Sequence, residues 1–219
     1  MKTPIRNGWQ EGTDRMETLK FVIAGYLSGS IVFARVCAKL FNKPGILRES
    51  RDGNPGTANA FQYGGFLCGI ITLCGDLAKG FLPVFAYLRY RENLAGSPLA
   101  TALVLAAPVL GHAFPVFFHF QGGKGIAVTF GCLLGMFPQM TPVVLFALLF
   151  VFFSLVLRIT PHFARTVVTY IAALCGFIRL RCEPGIILGF LLMTAVVLIR
   201  MHMSKEQRER MRVRLLWMR

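Results

Sequence analysis

The stretch GIILGFLLMTAVVLIRM, Gly185 to Met201, runs fifteen residues without a charge before Arg200 interrupts it. A helix needs about 20 predominantly apolar residues to cross a hydrocarbon core about 30 Å thick, so such a stretch belongs in a membrane. Six further windows share its character: 19–41, 66–88, 98–118, 125–137, 139–157 and 164–180. Composition agrees, because the 219 residues are 55% apolar and only 16% charged, with a mean hydropathy of +0.58, too greasy for an ordinary soluble domain. The chain therefore reads as an all-α polytopic integral membrane protein of about seven transmembrane helices. The window 125–137 is short for a crossing; it either starts within the preceding glycines or re-enters from one side.

Charge sets the orientation. Residues 1–18 balance Lys2, Arg6 and Arg15 against Glu11, Asp14 and Glu17, and they carry no apolar core of the signal-peptide kind. The end of the chain is different: from Arg200 to Arg219 it holds seven Lys or Arg against Glu206 and Glu209. The positive-inside rule then predicts an outer N-terminus, an odd number of crossings and a cytoplasmic C-terminus. Three segments follow: a polar N-terminal stretch 1–18, a transmembrane domain 19–201 and a basic cytoplasmic tail 202–219, which could rest on anionic headgroups. The net charge of +14 is scattered through short loops rather than gathered on a soluble module, a pattern that speaks against nucleic acid as partner. Cys37, Cys68, Cys74, Cys132, Cys175 and Cys182 lie mostly in apolar runs and read as small buried hydrophobes. With the four histidines far apart in sequence, no metal site is expected.

Two polar loops interrupt this background, and the predicted topology puts both on the cytoplasmic face. In RDGNPGTAN, Arg51 to Asn59, Gly53 and Gly56 can adopt positive φ and turn backbone N–H groups toward one point, with Thr57 and Asn59 adding side-chain donors. That composition also fits a tight turn with helix caps. In FQGGKG, Phe120 to Gly125, Lys124 stands among glycines at the mouth of an apolar segment, where an ammonium either snorkels or meets an anion. The motif is not a P-loop, since Phe118 and Gly125 occupy the positions of its first Gly and its Ser or Thr. Asp76 and Lys79 in GDLAKG share a helix face at i, i+3 and are expected to pair. His112, in GHAFPVFFHF, is expected to be a packing residue.

Taken together, GYLSGSIVFARV, DGNPGTAN, GDLAKGFLPV and GHAFPVFFHFQGGKGIAVTFG, within Gly25 to Gly131, resemble the bacterial acyl-phosphate-dependent glycerol-3-phosphate acyltransferase family. The resemblance implies a seven-helix enzyme of the bacterial inner membrane, with its site facing the cytoplasm. It would move a fatty acyl group from acyl phosphate to the sn-1 hydroxyl of glycerol 3-phosphate, or of a related polyol phosphate, giving lysophosphatidate and phosphate. No cofactor or metal is implied, and a monomer is compatible with it. It places Gly53, Asn54, Gly56, Thr57 and Asn59 around the acyl phosphate, with Lys124 on phosphate and His202 near the acceptor. Lys124, Asn54 and Asn59 are thus the expected catalytic residues, with Gly122, Gly123, Gly125 and Arg158 among the substrate-binding ones.

Several positions depart from the family pattern, mostly on the acceptor side. Asp52 replaces a serine that would donate to phosphate, and Gln62 replaces an arginine, the stronger bidentate partner for an anion. Gln121 stands where a lysine commonly precedes the two glycines, and RITPHFART keeps Arg158 but lacks the family's serines. Two readings follow, beside that of a small anion transporter built on Asp76 and Lys79, for which the sequence shows no inverted repeat. Either Arg158, His162 and Arg165 substitute as acceptor ligands, or the chain is a catalytically impaired paralogue that binds acyl phosphate or lipid as a sensor or scaffold.

Overall fold

The computed structural model describes residues 8–50, 53–91, 97–204 and 211–216. Helix α1 (Gly8–Gly29) starts inside the polar segment expected to precede the membrane, so residue 18 is no structural boundary. After a break at residues 30–32 the chain resumes as α2 (Phe33–Leu40), followed by the short α3 (Gly45–Arg48) and α4 (Thr57–Gly64). Two long helices come next, α5 (Phe66–Arg91) and α6 (Pro98–Ala113), the latter capped by the Ser97 hydroxyl, which accepts from the amide of Ala100. A 3-10 turn, Val116–Phe118, leads to α7 (Ile126–Leu134). Helix α8 (Thr141–Val151) runs on as a π-helical turn, Phe152–Val156, into the strand β1 (Leu157–Thr160). Helices α9 (His162–Arg179) and α10 (Pro184–Met203) complete the bundle.

The basic tail is not a free extension of α10. Strand β2 (Arg212–Leu215) returns to pair antiparallel with β1, with Leu157 opposite Leu215 and Arg158 opposite Arg214. Among the described residues, four helical stretches are long and apolar enough to cross a membrane: Gly12–Leu40, Phe66–Arg91, Pro98–Phe118 and Pro184–Met203. Thr141–Val156 is apolar but shorter. The 125–137 window yields the nine-residue α7, whose rise of about 14 Å is near half a hydrocarbon core.

Helix α6 is the centre of the bundle, packed against α1 on one side and α10 on the other. The α1–α6 seam is a backbone-to-backbone contact. A Cβ on Gly111 would fall 2.1 Å from the carbonyl oxygen of Tyr26, and one on Gly29 would fall 2.2 Å from that of Pro108. The close approach lets the Tyr26 hydroxyl donate to the carbonyl of Phe114 at 2.9 Å. On the far side, α7 to α10 meet in an aromatic cluster in which Phe146 lies 4.9 Å from Tyr170 and 5.4 Å from Phe190 between ring centroids. The Tyr170 hydroxyl, buried there, reaches Thr129 Oγ1 at 3.0 Å, so its polar atom is satisfied. Of the cysteines, Cys37, Cys68 and Cys132 are buried as expected; Cys74 and Cys175 instead lie on the outer surface, where the apolar run faces outward, and Cys182 is intermediate.

Gly111→Val forces the α1–α6 seam apart. Overpacking of this kind typically costs about 1–3 kcal/mol, so the purified variant should melt several degrees below wild type in detergent, whereas Gly12→Ala, with open space around its Cα, should not.

Candidate functional site

The first loop is built around Asn54. Gly53 adopts φ +62° and its amide donates to the Ser50 carbonyl at 3.1 Å, closing the turn that leads into the motif. Gly56 does not take the positive φ expected of it: it is extended, at φ −117°, as the N-cap of α4. Its lack of a side chain serves another end, because a Cβ there would sit 2.6 Å from the Asn54 amide nitrogen. Asn59, one turn into α4, donates its side-chain N–H to the Asn54 carbonyl at 2.8 Å.

The second loop is gripped by its carbonyls. Arg35 Nη2 donates to the carbonyl of Gln121 at 3.0 Å, and Arg200 Nη2 donates to that of Gly122 at 2.7 Å. Each guanidinium also lies over a ring, Arg35 at 5.5 Å from Phe118 and Arg200 at 6.0 Å from Phe114. The amide of Gly123 donates to the His112 carbonyl at 3.0 Å, and a Cβ on Gly123 would lie 2.2 Å from His112 Nε2. Gly122 and Gly123 are therefore small because α6 lies against them, a requirement of packing. Gly125, at φ +84°, then turns the chain into α7, with Lys124 buried beside it.

Between the loops lies a buried charged cluster. Lys79 Nζ is 2.8 Å from Asp76 Oδ1, with both side chains 2% exposed. The contact is an ion pair without hydrogen-bond alignment at that oxygen. The same ammonium lies 2.8 Å from His112 Nδ1 and donates to the Ile31 carbonyl at 2.7 Å. Asp76 Oδ1 is 3.7 Å from His112 Nδ1, and Asp76 Oδ2 is 3.5 Å from Thr57 Oγ1. His112 is thus no bland packing residue. Its partner Lys79 stands 33 residues away, too far for any local pattern to reveal.

Both loops and this cluster open onto one cavity of about 1460 Å³. Its polar end carries Asn54, Gly56, Thr57, Asn59, Gln62, Asp76, His112, Lys124 and Gly125; its walls carry Leu73, Leu77, Ile126, Phe130, Leu134, Val143 and Phe150. From the start of α9, Pro161, His162 and Arg165 join the lining. His162 and Arg165 sit at i, i+3 on the first turn of α9, so a helix started at Pro161 would have put them on one face.

The cavity lining leaves out several expected residues. Gly53, Gly122 and Gly123 shape the loops from outside. Arg158 lies on β1, exposed and facing away. His202 is also exposed, whereas Met201 beside it is buried at 2%; one residue along a helix turns a side chain by about 100°, which carries His202 off the inward face. Gln62 does line the cavity, so the missing cation at that position bears on the site. Asp52 lies outside the described residues.

These features define a polytopic membrane protein with a large cavity, polar at one end and apolar along its walls. Comparison with known proteins makes the class specific. The family model for glycerol-3-phosphate acyltransferase matches residues 19–211. A glycerol-3-phosphate acyltransferase of Shewanella woodyi is 31% identical over 191 residues, 87% of this chain and 89% of the relative. One from Methylobacillus flagellatus is 40% identical over 137 residues, 63% of this chain and 67% of the relative; one from Legionella pneumophila is 42% identical over 113 residues, 52% of this chain and 39% of the relative. The crystal structure of PlsY (YgiH), an integral membrane glycerol 3-phosphate acyltransferase, in its glycerol 3-phosphate form superposes with a TM-score of 0.71 at 28% identity, covering 85% of this chain and 88% of that one. Its lysophosphatidic acid form gives 0.70 at 27% identity, covering 84% and 87%. The chain belongs to the glycerol-3-phosphate acyltransferase family.

The buried pair offers a direct test of what holds the site together. Removing one partner strands a charge in the bundle, at a typical cost of about 3–5 kcal/mol. Asp76→Asn and Lys79→Met should each lower the melting temperature sharply, and the double variant should recover much of the loss; a simple sum of the two would show that they do not act as a pair.

Proposed function

We propose that this chain transfers a fatty acyl group from an acyl phosphate to the sn-1 hydroxyl of glycerol 3-phosphate, releasing lysophosphatidate and inorganic phosphate at the cytoplasmic face of the bacterial inner membrane. The observation that carries this reading is that Asn54 and Lys124, on loops far apart in the chain, face one cavity continuous with an apolar sleeve. At about 1460 Å³ it exceeds the range of roughly 300–1,000 Å³ usual for a single small ligand. That suits two substrates, one with a long chain. The basic tail favours a cytoplasmic end for α10, and Arg200 near that end holds the second loop, which turns the cavity mouth to the cytoplasm.

The reaction asks little covalent chemistry of the protein. The acceptor oxygen bonds to the acyl carbon, the bond from that carbon to the phosphate oxygen breaks, and the hydroxyl proton leaves with the phosphate. What must be supplied is proximity of two anions and stabilisation of charge on the leaving group and the oxyanion. Lys124 is the cation for the donor phosphate, with the Asn54 amide as a donor beside it. Asn59 orients Asn54 through its carbonyl, and Leu77, Phe130, Leu134 and Phe150 sheathe the acyl chain.

The acceptor phosphate falls to α9. Gln62 brings no charge, so Arg165 is the lining cation that takes the place of the family's arginine, with His162 beside it as a hydrogen-bonding partner, while Arg158 is too exposed to do so. Steady-state kinetics in lipid membranes, following phosphate release, test both halves. Lys124→Ala should cut kcat/KM by roughly 100-fold or more. Arg165→Gln should raise the KM for glycerol 3-phosphate by roughly tenfold or more, as expected for a charge-assisted bond, with the KM for acyl phosphate unchanged. Gln62→Arg in that background should restore acceptor affinity. Acyl phosphate binding without acceptor-dependent turnover would instead identify the chain as a binding protein.

A further inference from the structure

The β1–β2 ribbon is unusual in its charges. In its register Arg158 stands directly opposite Arg214 and Thr160 opposite Arg212. Alternation along each strand puts Arg158, Thr160, Arg212 and Arg214 on one face of the ribbon. All four are exposed, and among the described residues no carboxylate pairs with these arginines. The opposite face is apolar, with Ile159 buried at 2% and Leu157 and Leu215 half-buried against the bundle. Val213 on that apolar face is still 48% exposed, and Met211 and Leu216 at either end of β2 are exposed as well, leaving uncovered apolar surface on the ribbon.

Such a ribbon is poorly suited to water. Like charges directly opposite each other destabilise a strand pair, and a pair of strands this short is marginal alone. Its position supplies the missing partner. The ribbon continues the end of the apolar α8 through Phe152–Val156 and follows α10, a helix long and apolar enough to cross a membrane. It also leads directly into Pro161 and His162 on the cavity wall. An apolar shoulder at the acyl boundary with guanidinium groups above it matches the layering of a membrane surface, whose anionic headgroups attract basic residues held within a Debye length.

We infer that the arginine face of this ribbon, Arg158, Arg212 and Arg214, is a binding surface for the phosphate headgroups of anionic phospholipid beside the cavity mouth. Anionic lipid neutralises the opposed arginines and so holds the returning tail on β1.

Amide hydrogen exchange at residues 212–215 of the full-length protein tests this in nanodiscs. With phosphatidylglycerol making up about a third of the lipid, exchange should slow at least about tenfold relative to pure phosphatidylcholine, and about 0.5 M NaCl should abolish the difference. Inorganic phosphate added to phosphatidylcholine discs should not reproduce the protection; if it does, the ribbon is a soluble-anion site and the lipid assignment fails. Equal exchange in the two lipids overturns the proposal from the wild type alone, whatever the variants do. R158Q/R212Q/R214Q should lose the lipid-dependent protection and retain less phosphatidylglycerol in native mass spectrometry, while the all-lysine counterpart should keep both in part. Unchanged lipid retention in the glutamine variant would also overturn it.

Discussion

The ion pair of Asp76 and Lys79 is the interaction on which the rest of the site depends. It is buried in α5, and its outer atoms reach three other elements: Lys79 to the Ile31 carbonyl at the break after α1 and to His112 of α6, Asp76 to Thr57 at the start of α4. A carbonyl freed where a membrane helix breaks has no water to turn to, and it persists only if the protein satisfies it. Lys79 does so, and its charge in turn requires Asp76. The break in the first helix, the first loop and the helix that backs the second loop are thereby fixed relative to one another.

This arrangement separates two jobs that a phosphate site often combines. The Asp76 and Lys79 charges, which hold the fold, are buried and satisfied by each other. The cations we propose for substrate, Lys124 and Arg165, come from separate elements that both line the cavity. Two anions can then be brought close with a separate counter-charge for each, and the mutual repulsion that would keep them apart in water is offset. The apolar walls reinforce the effect, because they lower the local dielectric around the reacting groups.

The helices were largely legible in the sequence, because apolar runs such as 185–201 leave few alternatives. Their ends were less so. Helix α1 begins within a polar stretch, where helix propensity outlasts hydrophobicity, and α7 stops at nine residues because Gly135 and Phe137–Pro138 follow it. Of the cavity lining, Asn54, Thr57, Asn59 and Lys124 were singled out from their loops, and the Asp76–Lys79 pair was readable from its spacing. His112 was not, since its meaning lies in tertiary contact with Lys79. Arg158 and His202 had the right chemistry but the wrong direction: one falls on the outer face of a strand, the other one step round a helix. The tail's return as a strand had no local signal, because alternation over four residues is too brief to distinguish from coil.

The grip of Arg35 and Arg200 on the second loop has a consequence for how this protein can vary. Both guanidinium groups hold main-chain oxygens, at Gln121 and Gly122, and such oxygens are the same whatever side chain the residue carries. Position 121 is therefore uncoupled from loop shape, and a lysine there can give way to glutamine while the backbone path to Lys124 is preserved. Side-chain change can accumulate at that position while the architecture stays in place.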